Sequence, residues 1–541
     1  GASLQWLSTM CDEGSSRTVL LRPVPRRKSP KECWRDAVHK ALCLPDPWAQ
    51  RWSSVPLERA LRRRWDVQRR SWSCEELLVR VEAEPFAKGA MRICHRASAL
   101  RRNWVAKRYS SDPDVSALES DVMMQMIAKS YAERFNACAP PKKVDFIEAS
   151  ILQLPERRDG NLPRDFAVEA YLDGSFTKHS SNSGFVADDV VRNTPHAFSH
   201  FTFEASGAEQ IVVDIQGVDD LYTDPQIHTA SSSSSTRFGR GNMGLRGMAL
   251  FFASHRCNSL CHELGLTPFA HSPMPGDGAA TEYRQRDETA SPREDGEELF
   301  LTPAAQLVAR PGRSSNSQAQ MYSKVHFALA MLHARHVQAN AEFIGHNVLT
   351  SPAQGLFHLQ VSADLGNVQG ALALACLHLN LRPRKGVLRA LGSSLQRPLS
   401  LDEAAAFPYI LQAAEQGVCR AMSSVAFCYQ RGMGCRVDAT SAVHWYRQCL
   451  SARGARTTED EWSEREEERE AERLPGGAMA EHQILSALAE LYEAGSGDGS
   501  LAPNPRLAWQ FQLLAKSSAK RDEESEASEM EETNGEPPTK K

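Results

Sequence analysis

The tetrapeptide Ala363-Asp-Leu-Gly366 returns as Ala414-Glu-Gln-Gly417. Each copy precedes a helix rich in small residues: Ala371, Ala373 and Ala375 after the first, Ala421 and Ala426 after the second. Self-similar helical text from about residue 319 onward constrains the fold strongly, because one such unit cannot cover its own apolar face and must stack on the next. A third helix of the same style carries Ala487, Ala489 and Tyr492, and helices with aromatic positions stand between, in Ala442-Val-His-Trp-Tyr446 and Ala508-Trp-Gln-Phe511. The pattern predicts an all-α solenoid of paired helices over 319–520, with an ordinary helical bundle as the plainer alternative. The charge-dense run Glu459–Glu472 is expected to be a solvated insertion. The acidic tail 521–541 is expected to be disordered.

A chain of 541 residues exceeds one compact core, so further domains must precede the repeats. Residues 270–318 are rich in Pro, Gly, Ser and charge and predict a flexible regulatory linker. Before it, 81–269 alternates strand-like runs (Val105–Tyr109, Ala167–Leu172, Ile211–Ile215) with helical spacing (Ser116–Arg134, Met248–Leu264), which predicts an α+β domain of catalytic size. Residues 1–80 mix basic, aromatic and Pro-rich segments and are assigned to a regulatory region. A net charge of −4 conceals an Arg-rich start and an acidic end, and no whole-chain basicity argues for nucleic-acid binding. The 13 cysteines are scattered, no secretory leader is visible, and apolar runs such as Met248–Ala253 fall far short of a membrane span. A cytoplasmic chain with reduced thiols and no membrane contact is the expectation.

Four constellations in the α+β region carry chemistry. In Ile211-Val-Val-Asp-Ile-Gln-Gly217, followed by Asp220-Leu-Tyr-Thr-Asp224-Pro225, a β-branched run ends in Asp214 and turns at Gly217. Phosphoryl transfer needs oxygen ligands for Mg²⁺ and a carboxylate for the hydroxyl proton, and Asp214, Gln216 and Asp224 can supply them from one small loop. A surface turn with capping aspartates would look alike. The loop Phe238-Gly-Arg-Gly-Asn-Met-Gly-Leu-Arg-Gly247 precedes a helix, so Gly239, Gly241, Asn242 and Gly244 can bring backbone N–H groups to phosphate, although glycine loops also serve as plain connectors. In His255-Arg-Cys257-Asn-Ser-Leu-Cys261, cysteines four apart share a helical face that His255 can reach. With His200 as fourth ligand the set predicts a closed, structural Zn²⁺ site; reduced core cysteines beside a satisfied histidine are the alternative. Finally, Lys107 is the one inward-capable lysine of strand Trp104–Tyr109, and Arg92 follows a turn at 85–91; each singly would pass for a surface charge, yet both suit phosphate oxygens.

The order of these segments resembles the alpha-kinase family, in particular its calmodulin-dependent branch acting on elongation factor 2. They run Gly89-Ala-Met-Arg92, Val105-Ala-Lys-Arg-Tyr109, Asn182–Val186, Ala197-Phe-Ser-His-Phe-Thr-Phe203, Val212–Gly217, Leu221–Pro225, Gly241–Gly247 and Ser254–Cys261. The likeness spans nearly all of 85–269. It implies a two-lobed α+β atypical kinase domain that binds ATP, with Lys107 on the upper sheet and Glu169 and Tyr171 at the adenine hinge. It further implies Gln216 and Asp224 as Mg²⁺ ligands, Asp214 acting on the substrate hydroxyl, and His200, His255, Cys257 and Cys261 as the zinc set. The repeats resemble the Sel1-like branch of the tetratricopeptide class and, in this family, recruit elongation factor 2. Glu32–Ala41, followed by Leu-Pro-Asp-Pro-Trp48, resembles a segment that binds calmodulin with calcium; Trp34, Val38 and Ala41 fall on one helical face within about 30–48.

Departures from the family pattern stand beside the likeness. The linker is short, leaving Thr281, Thr289 and Ser291 as candidates for an activating phosphate, which Lys142, Arg192 and Thr194 would receive. Ile127 stands where relatives carry a glutamate, so Lys107 needs another partner, with Glu119 and Glu133 as candidates. The terminal aromatic helix of the family gives way to the acidic tail, which puts elongation factor 2 as substrate in question. Three readings follow: a serine/threonine kinase of elongation factor 2, an alpha-kinase with another protein substrate, and a non-catalytic repeat adaptor with a degenerate kinase domain.

Overall fold

Burial alternates along the whole of Arg92–Ala99, the period-2 signature of a strand with one face in a core. That strand belongs to a closed six-stranded barrel. In the computed structural model the described residues are 48–89, 92–100, 102–111, 115–157, 163–185, 193–230, 238–239, 241–270, 315–344, 348–395, 401–454, 466–497 and 499–534. They fall in two units, Gly1–Pro56 and Leu57–Lys541. The described part of the first is 48–56, with a 3₁₀ turn at Ala49–Ser53 and an edge-on contact between Trp48 and Trp52. The calmodulin-binding residues expected at Trp34, Val38 and Ala41 lie outside the described residues, as does most of the linker.

The barrel is antiparallel in the order β1 (Glu58–Asp66), β2 (Ser71–Lys88), β3 (Arg92–Ala99), β4 (Arg102–Tyr109), β7 (Asp165–Ala170), β6 (Ala149–Gln153), and β6 pairs back onto β1. Ala60, Val79, Val81, Ala97, Trp104, Ala106, Leu152, Phe166 and Val168 fill it. The boundary expected at 81 is therefore corrected: residues 58–80 are part of this domain. Their arginines read as a basic cluster but are strand residues laid on acidic and aromatic partners. Arg63 lies 2.7 Å from Glu119 and over the Trp72 ring, and Arg62 covers Trp104.

Helix α1 (Val115–Ala137) ties two cores together. Leu118 and Val122 pack under the barrel on Ala149, Ile151 and Ala167, whereas Met124, Ala128, Tyr131, Ala132 and Phe135 enter a second core. That second core is built with α2 (Asn193–Ala205), β9 (Gln210–Val213) and β12 (Gln226–Thr229), the last two paired. The second core also takes in Phe146 and Tyr222 of a four-stranded sheet of β5 (Asp145–Phe146), β11 (Leu221–Thr223), β10 (Gln216–Val218) and β8 (Phe176–Lys178). The single helix expected over Met248–Leu264 is two: α3 (Gly244–Ser254) and α4 (Ser259–Glu263). The break arises because His255 turns extended and the Asn258 side chain accepts from the N–H groups of Leu260 and Cys261, starting a new helix.

The C-terminal half is helical, as its repeats predict. Helices α5 (Ser315–Gln338), α6 (Pro352–Asp364), α7 (Val368–His378), α8 (Glu403–Glu415), α9 (Cys419–Arg431), α10 (Ala439–Gly454), α12 (Glu481–Ala494) and α13 (Pro505–Asn534) pack each on the next. Gly366 and Gly417 end the two matching helices at φ of 89° and 88°, a left-handed turn that explains why glycine recurs in both copies. Helix α11 (Glu466–Ala471) lies against α7 and α9. The expectation of a solvated insertion is corrected there. Glu468 is 1% exposed and accepts from the N–H groups of Cys419 and Arg420, capping α9, while Glu470 accepts from Arg384 N–H. Of the tail expected over 521–541, residues 521–534 continue α13, with no Gly or Pro to stop it, and 535–541 lie outside the described residues. No helix among the described residues is long and apolar enough to cross a membrane.

Candidate active site and metal centre

Period-2 alternation on β4 turns Lys107 to the underside of the barrel, where it is buried. Its ammonium lies 2.5 Å from Glu169 on β7 and 2.6 Å from Asp224 just past β11. Arg92, at the start of β3, reaches 2.5 Å to the other oxygen of Asp224 and 2.9 Å to Asp121 on α1. Tyr109 donates to Asp121, Thr223 to Glu169, and the Gln125 amide donates to Glu169 while accepting from Asp224 N–H. The lysine's partner is thus settled: Glu119 pairs with Arg63, and Glu169 takes the role sought on α1. Glu169, expected at the hinge, has its carboxylate committed to Lys107 and Thr223; Tyr171 follows it, with its N–H on the carbonyl of Asn103. Asp121 and Gln125 are additions to the residues expected from the sequence, although two polar residues four apart on an otherwise apolar helical face are a readable signal.

The network carries two cations and three carboxylates in little water, and its electrostatics follow from that. Burial works against the charge on Lys107, but Asp224 and Glu169 outweigh it and hold the ammonium well above the ordinary lysine value. Burial likewise opposes the charge of Asp224, and Lys107 and Arg92 overcome it, keeping that carboxyl far below the usual range. Burial pushes Asp121 up, against the pull of Arg92. Tyr109 is pushed up to about 12 by burial and by Asp121.

Below the network, Asp214 and Asp224 flank the β10–β11 hairpin, both in the left-handed region, at φ of 60° and 52°. The chain does not turn at Gly217 as expected: Gly217 is the middle residue of β10, paired with Tyr222 so closely that a Cβ would sit 2.1 Å from the Leu221 carbonyl oxygen, and the turn follows at Asp219–Asp220. The Gln216 amide donates to Asp214 at 3.2 Å and to the Asp224 carbonyl at 3.4 Å. Lys178 on β8 lies 2.8 Å from Asp214. Burial raises the Asp214 carboxyl, and Lys178 counters it. Arg92, Lys107, Asp214, Gln216 and Asp224 therefore form one contiguous cluster.

The glycine loop is built differently. Asn242 accepts from the N–H groups of Gly244 and Thr229, a pin that fastens the loop to β12. Gly239 and Gly244 take positive φ, and a Cβ on Gly241 would meet the Gln226 side chain. His228 on β12, fully buried, accepts from Met243 N–H and has its other ring nitrogen on the Asn182 carbonyl. Burial lowers it to about 4. Of the residues expected around a phosphothreonine, Lys142 is exposed after α1, Thr194 is half-buried at the start of α2, and Arg192 lies outside the described residues.

His200, His255, Cys257 and Cys261 converge, with one ligand atom from each inside a 4.8 Å cluster. His255 Nε2 is 3.2 Å from His200 Nδ1, and 3.8 Å from both sulfurs. Tetrahedral zinc with its usual bond lengths requires about 3.3 Å between nitrogens and about 3.6 Å between nitrogen and sulfur. The residues fit the ion. They do not share a helical face as expected: His255 and Cys257 come from the extended break, Cys261 from α4 and His200 from α2.

A profile of the alpha-kinase family matches residues 87–261. The chain is 47% identical over 259 residues to "Eukaryotic elongation factor 2 kinase" of Mus musculus and of Homo sapiens, covering 46% of this chain and 35% of each relative. The protein of the same name from Caenorhabditis elegans is 43% identical over 45% of this chain and 32% of its own length. The chain thus spans about a third of the curated relatives it matches. The solved alpha-kinase domain of myosin heavy chain kinase A with AMP shares 33% identity over 39% of this chain and 100% of that chain, with a TM-score of 0.37. On the family match and the 47% identity, residues 87–261 carry an alpha-kinase domain, which makes the chain a protein kinase.

Proposed function

We propose that this chain is a cytosolic serine/threonine kinase that transfers the γ-phosphoryl group of ATP to a threonine of elongation factor 2 under calcium–calmodulin control. The observation that carries the reading is the meeting of Lys107 and Arg92 with Asp224, beside Asp214 and Gln216. Lys107 and Arg92 are suited to phosphate oxygens, Arg92 as a fork and Lys107 as a point charge. Gln216 and Asp224 offer the oxygens that Mg²⁺ arriving with ATP requires. Asp214 takes the proton of the attacking threonine hydroxyl; that oxygen bonds to the γ-phosphorus, and the bond to the β–γ bridging oxygen breaks, releasing ADP. Lys178 keeps Asp214 available as a carboxylate. The zinc set would close the lower core, supplying folding energy rather than chemistry.

The names of the mammalian and nematode relatives support elongation factor 2 as substrate. The sequence spacing of Trp34, Val38 and Ala41 supports calmodulin, and the successive packing of α5–α13 supports a Sel1-like solenoid for recruitment. The test incubates the chain with ATP, Mg²⁺ and elongation factor 2, with and without Ca²⁺–calmodulin. Calmodulin-stimulated phosphate on a threonine of the factor is the expected result. Autophosphorylation without transfer to the factor indicates another protein substrate, and no nucleotide binding at all indicates the adaptor.

A further inference from the structure

Helix α5 opens the helical array, yet its Tyr322 ends at the metal centre. Tyr322 is 5% exposed; its hydroxyl donates to Glu204 on α2 and lies 3.4 Å from His200 Nε2. His200 turns its other nitrogen, Nδ1, toward His255 and Cys257. An ion held at Nδ1 leaves the proton on Nε2, and the atom in its path is the Tyr322 oxygen. Glu204 itself is 3.9 Å from Nε2, beyond a hydrogen bond, so the tyrosine is the intermediary. Glu204 also accepts from Thr267 N–H, in the segment that follows α4.

We infer that Tyr322, relayed to Glu204, is a positioning residue for the metal ligand His200, so that the helical array and the metal centre hold one another in place. The inference rests on the zinc reading of the cluster and goes beyond it. A carboxylate on the far side of a ligating histidine fixes its tautomer and ring angle; here the relay to that carboxylate comes from the next structural region of the chain. The surroundings are otherwise apolar and aromatic. The Tyr322 ring packs edge-on to Phe203, and Phe269 is sandwiched between Phe252 at 4.4 Å and His326 of α5 at 4.2 Å. Val325, Leu329 and Leu332 of α5 share this core with Met248–Ala253 of α3. A phenylalanine would fill the same volume, and a hydroxyl and carboxylate buried there cost free energy unless they are hydrogen-bonded.

The test uses the full chain and reads zinc directly, by transfer to a chromophoric chelator, beside amide exchange over Ser315–Gln338. Tyr322→Phe and Glu204→Gln are expected to bind zinc about 10–100-fold more weakly than the parent. Stripping zinc from the parent is expected to speed exchange in α5 while β3 and β4 keep their protection. Glu468→Gln, which weakens the array far from the centre, is expected to leave zinc affinity unchanged. A parent that holds zinc, with Tyr322→Phe holding it equally tightly, overturns the inference and leaves the zinc reading intact. Equal zinc loss in Glu468→Gln overturns it as well, since general destabilisation then accounts for the effect. A parent with no zinc refutes the metal reading itself.

Discussion

Replacing Lys107 by methionine separates what the buried network costs the fold from what it gives the site. The side chains of Lys107 and Glu169 are 9% and 8% exposed and that of Asp224 is 30% exposed, so the ammonium offsets Glu169 with little help from solvent and Asp224 with some. Methionine preserves most of the apolar length and removes the charge. Glu169 then keeps Thr223 and Gln125 as donors but no cation, and Asp224 keeps only Arg92. Removing one member of a buried ion pair costs about 3–5 kcal/mol, chiefly because the remaining charge is left uncompensated. Urea unfolding of Lys107→Met should therefore show a loss of that order. Adding Glu169→Gln should return much of it, since the neutral amide needs no counter-ion and can still accept from Thr223. Phosphoryl transfer should be lost in both. If Lys107→Met unfolds like the parent, or if the second change deepens the loss, the network is not the compensated cluster described above. Recovery of activity along with stability would sink the catalytic role of the lysine.

Three further outcomes follow from the geometry. Glu468→Gln should lower stability to urea by about 1–3 kcal/mol, because a buried anion at the start of α9 becomes a neutral amide, while phosphorylation of a short peptide stays unchanged. His228 is neutral when folded at about 4 against about 6.5 unfolded, so its contribution is complete above pH 6.5 and is lost as pH falls toward 4; the difference amounts to about 3 kcal/mol. Unfolding measured across that window should be flatter in His228→Gln. Lys178→Met removes the cation that counters burial at Asp214, so the acid limb of kcat/KM should move to higher pH; an unmoved limb argues against Asp214 as the proton acceptor.

The parts of the site that are legible in the sequence are those set by local pattern. Lys107 stands on the face opposite Trp104 and Ala106 because strands alternate, Asp214 and Asp224 flank a short hairpin, and His255, Cys257 and Cys261 are picked out by softness and close spacing. What escapes depends on contacts distant along the chain. Glu169 meets Lys107 across paired strands far apart in number, and no local period announces that partnership. The break at His255–Asn258 is hidden because its apolar flanks keep helical spacing, and only the Asn258 cap ends it. By charge alone, Glu468 and Glu470 of α11 read as solvated, and Arg62 and Arg63 of β1 give no sign of being half-covered. That covering depends on Trp104 and Trp72 for the arginines and on backbone N–H groups of Cys419 and Arg384 for the glutamates.

The charge arrangement bears on how nucleotide would enter under the proposed function. Lys107 and Arg92, suited to phosphate, are both spent on Asp224, the carboxylate suited to Mg²⁺. Three carboxylates against two cations leave the cluster one negative charge in excess, which by itself repels a triphosphate. Arrival together with a divalent cation removes that objection. Under that proposal phosphate oxygens would take the place of Asp224 beside Lys107 and Arg92, and the released carboxylate would be free to hold Mg²⁺. Lys107, Arg92 and Asp224 would each exchange one partner for another, so the penalty of opening a buried pair would not be met in full. By the same reasoning Glu169, 2.5 Å from Lys107, would keep the ammonium oriented while its second partner changes.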